Sequence, residues 1–514
     1  MGKVTVNSYL TRIIELHCAL CFNGFNIPRI RTINEPPDAA WSLHSVREWV
    51  TPPDWEDSEK CSTAETGCCY VVRDAGGVHR GAEHVGRQWY DEILWFEHEG
   101  EFANAWLPSE GSQLPIINPG QPLEKSDARF GVKRVCLEHI AGPGCIANMG
   151  EYKGTHISLD EMRGCRTAQF LVAKEGDEMA ALNLNWEPEA DDMAFESESE
   201  YFLSGLCDDL PLYQFDATVS PARHGVWNIQ SPGDPQLNFN KNETSLVFHS
   251  WCWGAWMQIC KLRVGYVVVD RLVDWFDAGN LHDLESENEG TDYEDDCNVE
   301  LGSDYGYTVT NPFFVPRLLE LIDKAANANS NSNTTPAPSE ALPALKRTTH
   351  KDPFTALPPE VRSMILTQLP CKAIHNLRFV SSSFEHLPNS LWKRILQEDM
   401  PWVWEVWSSD PPHFWATVSQ QDIEKHRKED SVPGHTIDVQ ARISNPPWAW
   451  KIPPHNTTDW HMLYEDIKRE TREIRGLRNR RRIWRNLEVV VKGVMGNWYE
   501  RMHENERGHP FYGP

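Results

Sequence analysis

Residues 354–392 read FTALPPEVRSMILTQLPCKAIHNLRFVSSSFEHLPNSLW, and this stretch decides how the chain is organised. Pro358 and Pro359 suit the start of a helix, where a missing amide hydrogen costs little, and Glu360 favours the positive end of the helix dipole. Pro370 ends that helix, because proline lacks the amide hydrogen that a continuing helix needs. The pattern therefore predicts a first helix over residues 359–369.

Apolar side chains cover most of this first helix. They are Val361, Met364, Ile365, Leu366 and Leu369. At these spacings they occupy well over half of the circumference of a short helix, and nothing in the stretch covers one of its faces. A second helix and a third apolar segment follow, with Ile374, Leu377, Val380, Phe384, Leu387 and Trp392. Units below about 40 residues usually need a disulfide, a metal or a partner to stay folded, and we predict that this stretch docks on another protein.

The same residues resemble the F-box, the motif that ties a subunit to the Skp-type adaptor of cullin-based ubiquitin ligases. The matching positions are Leu357, Pro358, Glu360, Val361, Ile365, Leu369, Pro370, Leu377, Val380, Phe384, Leu387, Leu391 and Trp392. The alternative is an ordinary helix-loop-helix inside a larger domain, because Leu-Pro-x-Glu also opens many unrelated helices. The resemblance implies three packed helices that bind a Skp-type adaptor protein and, through it, a cullin.

Seven residues are expected to carry adaptor binding or the packing that supports it. They are Leu357, Pro358, Ile365, Leu369, Leu377, Val380 and Trp392. The stretch departs from the family at Arg362, Ser381 and Phe384, where Leu, Cys and Trp are common. Arg362 is expected to point to solvent, and the other two are expected to be core choices that tolerate a change of size.

Further stretches are similar to those of a group of filamentous-fungal F-box proteins. They include Cys18-x-x-Cys21, HIAGPGC at 139–145, ISLDEMRGC at 157–165, Trp186-Glu187-Pro188-Glu189, YFLSGL at 201–206 and FHSWC at 248–252. This similarity extends over much of the chain, but it implies no known target protein.

The composition is that of a folded protein with several domains. The chain has 514 residues, 40% hydrophobic content and 22 Trp, which is enough for two to four domains with sizeable cores. No run of about 18 apolar residues and no signal peptide is visible, so no membrane span is expected and the location should be cytoplasmic or nuclear. The net charge of −26 argues against nucleic acid as a partner.

Composition and pattern divide the chain into four parts of an α+β protein. The parts are an irregular amino-terminal α+β domain at 1–324, a flexible linker at 325–350, the trihelical F-box segment at 351–397, and a Trp-rich, mainly helical region at 398–514. The first part has a strand-like run at 264–269 and a helix-like run at 315–323. The linker is rich in Asn, Ser, Thr, Pro and Ala. The last part contains a long helical stretch over about 459–494.

Two pairs of residues have the spacing of metal ligands. Cys18-Ala-Leu-Cys21 is a CxxC pair, and His249-Ser-Trp-Cys252 is an HxxC pair. Two residues between ligands let both side chains reach one ion at about 2.0–2.3 Å, so the four residues predict a structural Cys₃His zinc site. Phe22-Asn23-Gly24 suits a tight turn after such a knuckle. The alternative is a buried CxxC and a core histidine, since the segment between the pairs would have to be an inserted domain.

A second set of residues raises a catalytic alternative. Cys145 follows a Gly-Pro-Gly turn and would be a nucleophile if His139 or His156 acted as its base. Such a turn is more often only a turn. Cys165 lies further along the same region, and Cys68-Cys69 is a weaker candidate for a metal pair.

The residues and the resemblance together indicate a non-catalytic substrate-recognition subunit of a Skp-cullin-F-box ubiquitin ligase. Its target is not revealed, because the sequence lacks the leucine-rich and WD repeats that often serve as receptor modules. The alternatives are a hydrolase or transferase in residues 1–324, and a zinc-stabilised scaffold. A pocket that brought His139 and Cys145 together with an acid would favour the enzyme.

Overall fold

A mixed α+β architecture is seen in the residues that the computed structural model describes. These residues are 17–25, 27–36, 39–41, 48–50, 66–72, 116–117, 135–146, 152–174, 192–206, 218–221, 228–231, 246–278, 305–328, 352–385, 387–410, 416–418 and 451–506. The described strands all precede residue 250, and most described helices follow it. The α+β class predicted from the sequence is therefore confirmed at this coarse level.

The described strands form two larger sheets and two small pairs. They are β1 (Arg29–Ile30), β2 (Glu48–Val50), β3 (Cys69–Val72), β4 (Ile116–Ile117), β5 (Val135–Ile140), β6 (Tyr152–Lys153), β7 (Ala168–Ala173), β8 (Tyr201–Leu203), β9 (Thr218–Pro221), β10 (Asn228–Ser231) and β11 (Leu246–His249). The strand orders are β2-β5-β3-β4 and β11-β7-β8, both antiparallel, with β1 parallel to β6 and β9 antiparallel to β10. Cys69 lies opposite Ile140, so the residues before β3 meet those after β5.

The described helices include the three expected in the F-box-like segment. They are α1 (Ala194–Glu198), α2 (Ser250–Arg263), α3 (Asp270–Asp277), α4 (Pro316–Asn327), α5 (Pro359–Gln368), α6 (Cys371–Val380), α7 (Asn389–Asp399), α8 (Trp460–Glu470) and α9 (Arg475–Glu506). The helix-like run at 315–323 and the first helix over 359–369 are confirmed by α4 and α5. None of the helices in the described part of the chain has the length and apolar character of a membrane span.

Helix α2 is buried on every side along most of its length. Residues 250–260 are all buried, and Trp251, Trp253 and Trp256 are among the largest fully buried side chains. Phe248, on the strand that leads into the helix, stacks on Trp253 with ring centroids 4.8 Å apart. A helix that is buried all round lies at the centre of a domain, so α2 forms the core of its unit.

The prediction of a strand at 264–269 is wrong. These residues connect α2 to α3 without strand pairing. Gly265 has a φ of +89°, in the left-handed region that favours glycine, and turns the chain back after α2. Val268 and Val269 are buried, and the Val268 carbonyl accepts a hydrogen bond from the indole of Trp256 at 3.0 Å. The apolar run therefore packs in the core as a connection.

Contacts divide the chain into two units whose bounds differ from the predicted ranges. The first unit takes Met1–Asn311, His413–Ser444 and Arg485–Pro514, and the second takes Pro312–Pro412 and Asn445–Trp484. Helix α4 belongs to the second unit and runs into the range predicted as a linker. The reason is that Ala325 is buried and its carbonyl accepts a hydrogen bond from the Asp459 amide at 3.0 Å. Residues 329–350 of that range lie outside the described residues.

In the second unit, α7 packs against α8. Trp392 on α7 is buried against His461 and Tyr464, with ring centroids 4.3 Å and 5.3 Å away. The hydroxyl of Tyr464 donates a hydrogen bond to Asp399 at 3.0 Å. The chain itself therefore supplies part of the cover that the isolated three-helix stretch lacks.

The long helix predicted over about 459–494 is two helices. Helix α8 ends at Glu470 and α9 begins at Arg475. Between them, the buried hydroxyl of Thr471 donates a hydrogen bond to the Ile467 carbonyl at 2.5 Å. A side chain that bonds to the preceding turn competes with the regular helical ladder, and the helix breaks here.

A buried ion pair fastens the start of α9 to the segment after α7. The Nη1 atom of Arg480 lies 2.9 Å and 2.8 Å from the two carboxylate oxygens of Glu405, and both side chains are almost completely buried. The Nε atom of Arg480 donates to the Pro312 carbonyl at 2.7 Å, and the guanidinium lies 4.0 Å from the ring centre of Trp404. Removal of either partner of such a pair strongly destabilises a protein, because the other charge stays buried without compensation.

Candidate docking surface and metal centres

Large apolar side chains are exposed on the first two helices of the three-helix segment α5–α7. They are Val361 and Met364 on α5 and Phe379 and Val380 on α6, exposed by 38%, 67%, 56% and 79%. These four are half of the large apolar side chains that are exposed in the described part of the chain. Exposed apolar side chains gathered on one small unit indicate an interaction site.

The predicted adaptor-binding residues differ in their exposure. Pro358 and Val380 are exposed, Leu357, Ile365, Leu369 and Leu377 are half-buried, and Trp392 is buried. Trp392 therefore supports the packing of α7 on α8. Three exposed apolar residues, Val361, Met364 and Phe379, are absent from the predicted set. Met364 lies three positions after Val361 on the same helical face, which is a signal that spacing alone provides.

The carboxylate of Asp352 joins the chain before α5 to the turn after α6. It accepts hydrogen bonds from the Phe354 amide at 2.9 Å, the Ser381 hydroxyl at 2.7 Å, and the amide and hydroxyl of Ser383 at 3.0 Å and 2.9 Å. Partial burial works to raise the pKa of Asp352, but these hydrogen bonds outweigh it and hold the pKa well below its usual range. The Asp-Pro sequence before α5 is the signal for such a cap.

Two of the departures from the family take part in this junction. Ser381 is buried and its hydroxyl bonds to Asp352, so it does more than fill space. Arg362 was expected to point to solvent, and this is wrong. It is half-buried, and its Nη1 atom donates to the Ser383 carbonyl at 3.1 Å. The third departure, Phe384, is buried edge-on to Phe354, as a core choice should be.

Polar side chains of α7 hold its neighbours on either side. Arg394 donates to the Thr367 and Leu369 carbonyls at 2.5 Å and 2.9 Å, at the end of α5 where a positive charge is favourable. Asn389 donates to the Thr458 carbonyl at 2.7 Å and accepts from the Trp460 amide at 2.9 Å. The Arg394 hydrogen bonds therefore fix the end of α5, the helix that exposes Val361 and Met364, to α7.

The four residues predicted as zinc ligands lie together in the first unit. The ligand atoms of Cys18, Cys21, His249 and Cys252 are all within 4.8 Å of one another, and all four residues are buried. They come from two pairs that are distant in sequence, since Cys21 and His249 are 228 positions apart. The convergence expected from the CxxC and HxxC spacing is thus present in the fold.

A tight turn carries the first pair. The Cys18 amide donates to the Asn23 carbonyl at 2.9 Å, and the Phe22 amide donates to the Cys18 carbonyl at 2.8 Å. Phe22 has a φ of +62°, in the left-handed region that non-glycine residues rarely adopt. The turn is anchored to β11, because the Ala19 amide donates to the Val247 carbonyl at 2.9 Å.

The second pair lies where β11 becomes α2. The Nδ1 atom of His249 is 3.4 Å from the sulfur of Cys21, and Nε2 is 2.9 Å from the Cys165 carbonyl oxygen. A carbonyl only accepts, so Nε2 carries the hydrogen and Nδ1 presents its lone pair to the sulfur atoms. Metal-binding histidines are commonly oriented in this way. Cys252 lies in the first turn of α2, where the helix dipole favours a thiolate.

Burial and hydrogen bonding act in opposite directions on the thiols of this cluster. Burial raises the pKa of the Cys18 and Cys252 thiols. Burial acts on Cys21 in the same direction, but hydrogen bonds from Cys18 and Cys252 and the nearby His249 lower the pKa of Cys21 well below its usual range. The His249 amide also donates to the sulfur of Cys18 at 3.3 Å. These contacts therefore favour negative charge on the sulfur of Cys21, whereas burial opposes it on Cys18 and Cys252.

A second group brings together two candidates that the sequence analysis considered separately. The ligand atoms of Cys68, His139 and Cys145 lie within 4.8 Å of one another, with the Cys145 sulfur 3.8 Å from Nε2 of His139. Burial, with a smaller contribution from Lys153, lowers the pKa of His139 to about 4, so its imidazole is neutral at pH 7. His156, the other candidate base, is exposed and is not part of the group.

Comparison with known proteins identifies the three-helix segment. A family model described as F-box domain matches residues 354–396, which contain α5, α6 and most of α7. No curated protein and no solved structure matches the chain. The wider similarity to filamentous-fungal F-box proteins stays a prediction. Residues 354–396 of this chain are an F-box domain.

Proposed function

We propose that the protein is a substrate-recognition subunit of a Skp-cullin-F-box ubiquitin ligase. One observation supports this function above others: the F-box domain exposes Val361, Met364, Phe379 and Val380 to solvent. A protein in water gains nothing from exposed side chains of this size unless a partner covers them. The partner that an F-box implies is a Skp-type adaptor, which in turn binds a cullin.

The exposed residues are sufficient to drive such an association. Burial of a large apolar side chain stabilises by about 1.5–3 kcal/mol, so the four side chains provide a gross gain of roughly 6–12 kcal/mol. Losses of translational, rotational and side-chain freedom reduce this figure on binding. The half-buried Leu357, Ile365, Leu369 and Leu377 would add to it. A stable complex with the adaptor is therefore energetically reasonable.

The proposed role is non-catalytic. A receptor subunit accelerates ubiquitin transfer by holding a target lysine near the charged conjugating enzyme, which makes the transfer effectively intramolecular. The chain's contribution would be two binding surfaces: the F-box for the adaptor, and another region for a target protein. The ligase would act in the cytoplasm or nucleus.

Binding to a purified Skp-type adaptor, measured by calorimetry on the full chain, tests the proposal. Phe379→Ala combined with Val380→Ala should weaken binding at least tenfold, since a tenfold change needs only about 1.4 kcal/mol. The predicted pair Leu357→Ala and Pro358→Ala should weaken it as well. Tyr266→Ala is the matched control, because Tyr266 is 57% exposed and lies outside the F-box. Undiminished binding by the Phe379 and Val380 variant would overturn the proposal.

We also propose that Cys18, Cys21, His249 and Cys252 bind a structural zinc ion. Three sulfur ligands and one imidazole suit zinc, and four protein ligands in a buried cluster fill a tetrahedral site completely. The ion would supply the positive charge that three buried thiolates need. It would act by stabilising the fold, since no coordination position is left for a substrate.

Zinc counting and chelation test this second proposal. Cys252→Ala should remove one zinc ion per chain, and a chelator strong enough to extract it should lower the melting temperature. Cys371→Ala is a control, because Cys371 is buried in the F-box domain and lies outside the cluster. An unchanged zinc content in Cys252→Ala would contradict the proposal. A loss of zinc with full adaptor binding would show that the two functions are separate.

A further inference from the structure

We propose that Cys68, His139 and Cys145 bind a second zinc ion, with a water molecule in the fourth position. Ligands at about 2.0–2.3 Å from a tetrahedral ion lie roughly 3.3–3.8 Å apart. The Cys145 sulfur and the His139 Nε2 atom are 3.8 Å apart, and the Cys68 sulfur lies within 4.8 Å of both. The three atoms therefore need to move little to share one ion.

Two turns carry the cysteines and face each other across the β3–β5 pairing. The Gly144 amide of one turn donates to the Thr66 carbonyl of the other at 2.9 Å. A Cβ atom at Gly142 would lie 2.1 Å from the Gly67 carbonyl carbon, so this close approach requires glycine. The backbone that bears both sulfur atoms is therefore fixed by contacts that do not involve a metal.

The sulfur of Cys68 is also prepared for a negative charge. The Gly142 amide donates to it at 3.3 Å, which is the distance at which the His249 amide meets Cys18 in the first cluster. A hydrogen bond to sulfur favours the thiolate, the form of cysteine that binds metal. The same feature thus occurs independently in both groups.

The surroundings of the group favour an open coordination position. His139 is half-buried, and Gly67, Pro143 and Gly144 are exposed at the tips of the two turns. Water can therefore reach an ion held there, in contrast to the fully buried first cluster. Zinc with three protein ligands and one water is a recognised arrangement, and the ion makes that water more acidic.

The same geometry weakens the case for Cys145 as a nucleophile. Its side chain belongs to a residue that is 5% exposed, so a substrate from solvent has little access to the sulfur. A metal ion is small enough to enter between the turns. The group is therefore better suited to coordination than to covalent catalysis.

The test is the zinc content of the full chain, purified under reducing conditions and measured by mass spectrometry of metals. Cys145→Ala and His139→Ala should each lower the content by one zinc per chain. His139→Cys, which restores a third soft ligand, should return it to the wild-type value. Cys260→Ala is the matched control, because Cys260 is fully buried and lies outside both groups. It should leave the content unchanged.

Two further measurements cover a variant that fails to fold. In the wild-type protein, a mild chelator should remove the solvent-accessible zinc before any zinc of the closed cluster. The intact mass of wild-type protein prepared without reductant should show no disulfide between Cys68 and Cys145. An unchanged zinc content in both Cys145→Ala and His139→Ala, a disulfide between Cys68 and Cys145, or rapid alkylation of Cys145 in the metal-loaded protein would each overturn the inference.

Discussion

The hydroxyl of Ser381 donates a hydrogen bond to the carboxylate of Asp352 at 2.7 Å, and this bond joins the two ends of the F-box helix pair. Asp352 precedes α5, whereas Ser381 follows α6. The backbone and side chain of Ser383 bond to the same carboxylate. The carboxylate of Asp352 therefore fixes the position of the segment before α5 relative to the end of α6.

Replacement of Asp352 by Ala should destabilise the F-box domain by about 0.5–2 kcal/mol, the usual cost of a lost cap. The folded-state pKa of Asp352 is depressed, so its contribution is present above the unfolded-state value near 4 and is lost as the pH falls through the folded pKa. The stabilities of wild type and variant should therefore converge below about pH 4.

Hydrogen exchange of the F-box amides across this pH range measures the difference. Asp323→Ala is the control, because Asp323 is an exposed acid on α4. A gap between wild type and Asp352→Ala that stays constant down to strongly acidic pH would refute the assignment of the stabilising charge to Asp352.

Trp392 and Val380 should behave oppositely when each is replaced by Ala. Trp392 is buried against α8, and its loss should cost about 3–5 kcal/mol of unfolding free energy. Val380 is 79% exposed, so its loss should change stability by less than about 0.5 kcal/mol while weakening adaptor binding. Thermal unfolding and calorimetry on the same two proteins separate packing from docking. Equal effects of both variants on stability would contradict this division.

The ion pair between Arg480 and Glu405 should be intolerant of the loss of one partner. Glu405→Ala leaves the buried guanidinium without its carboxylate, which should cost about 3–5 kcal/mol. Arg480→Met combined with Glu405→Leu removes both charges and should recover much of the loss. Urea unfolding of the single and double variants measures the coupling. A Glu405→Ala variant as stable as wild type would show that the pair is not a significant constraint.

Gly142→Ala should open the contact between the two turns that carry Cys68 and Cys145. The added Cβ would lie 2.1 Å from the carbonyl carbon of Gly67, so the turns must separate. This should lower the free energy of unfolding by about 1–3 kcal/mol. Gly265→Ala is a useful comparison, since no atom lies within 4 Å of a Cβ there and only its positive φ is penalised. Thermal unfolding should show the larger loss for Gly142→Ala. The reverse order would exclude the close contact.

The parts of the fold that depend on local sequence were predicted well. The bounds of α5 follow from Pro359 and Pro370, which act within one turn of where they stand. The convergence of Cys18 with His249 was also expected, because each pair has the spacing of ligands for one ion. In both cases the decisive residues lie close together in sequence.

The parts that depend on long-range register were missed. Cys68 was considered with its neighbour Cys69, yet it meets His139 and Cys145 because β3 pairs with β5 in one particular alignment. Nothing in linear spacing encodes that alignment. Similarly, the run at 264–269 has the composition of a strand but lies where the burial of Val268 and Val269 against α2 decides its shape. Tertiary packing overrides local preference at such positions.

The two halves of the Cys18, Cys21, His249 and Cys252 cluster are synthesised at different times, because they lie far apart in the sequence. Cys18 and Cys21 leave the ribosome long before His249, which lies 231 residues after Cys18. At about 5–20 residues per second, the first two thiols wait roughly 10–50 s for the histidine that completes their surroundings. During that interval neither His249 nor Cys252 has been made, so the proposed four-ligand zinc site cannot yet form around Cys18 and Cys21.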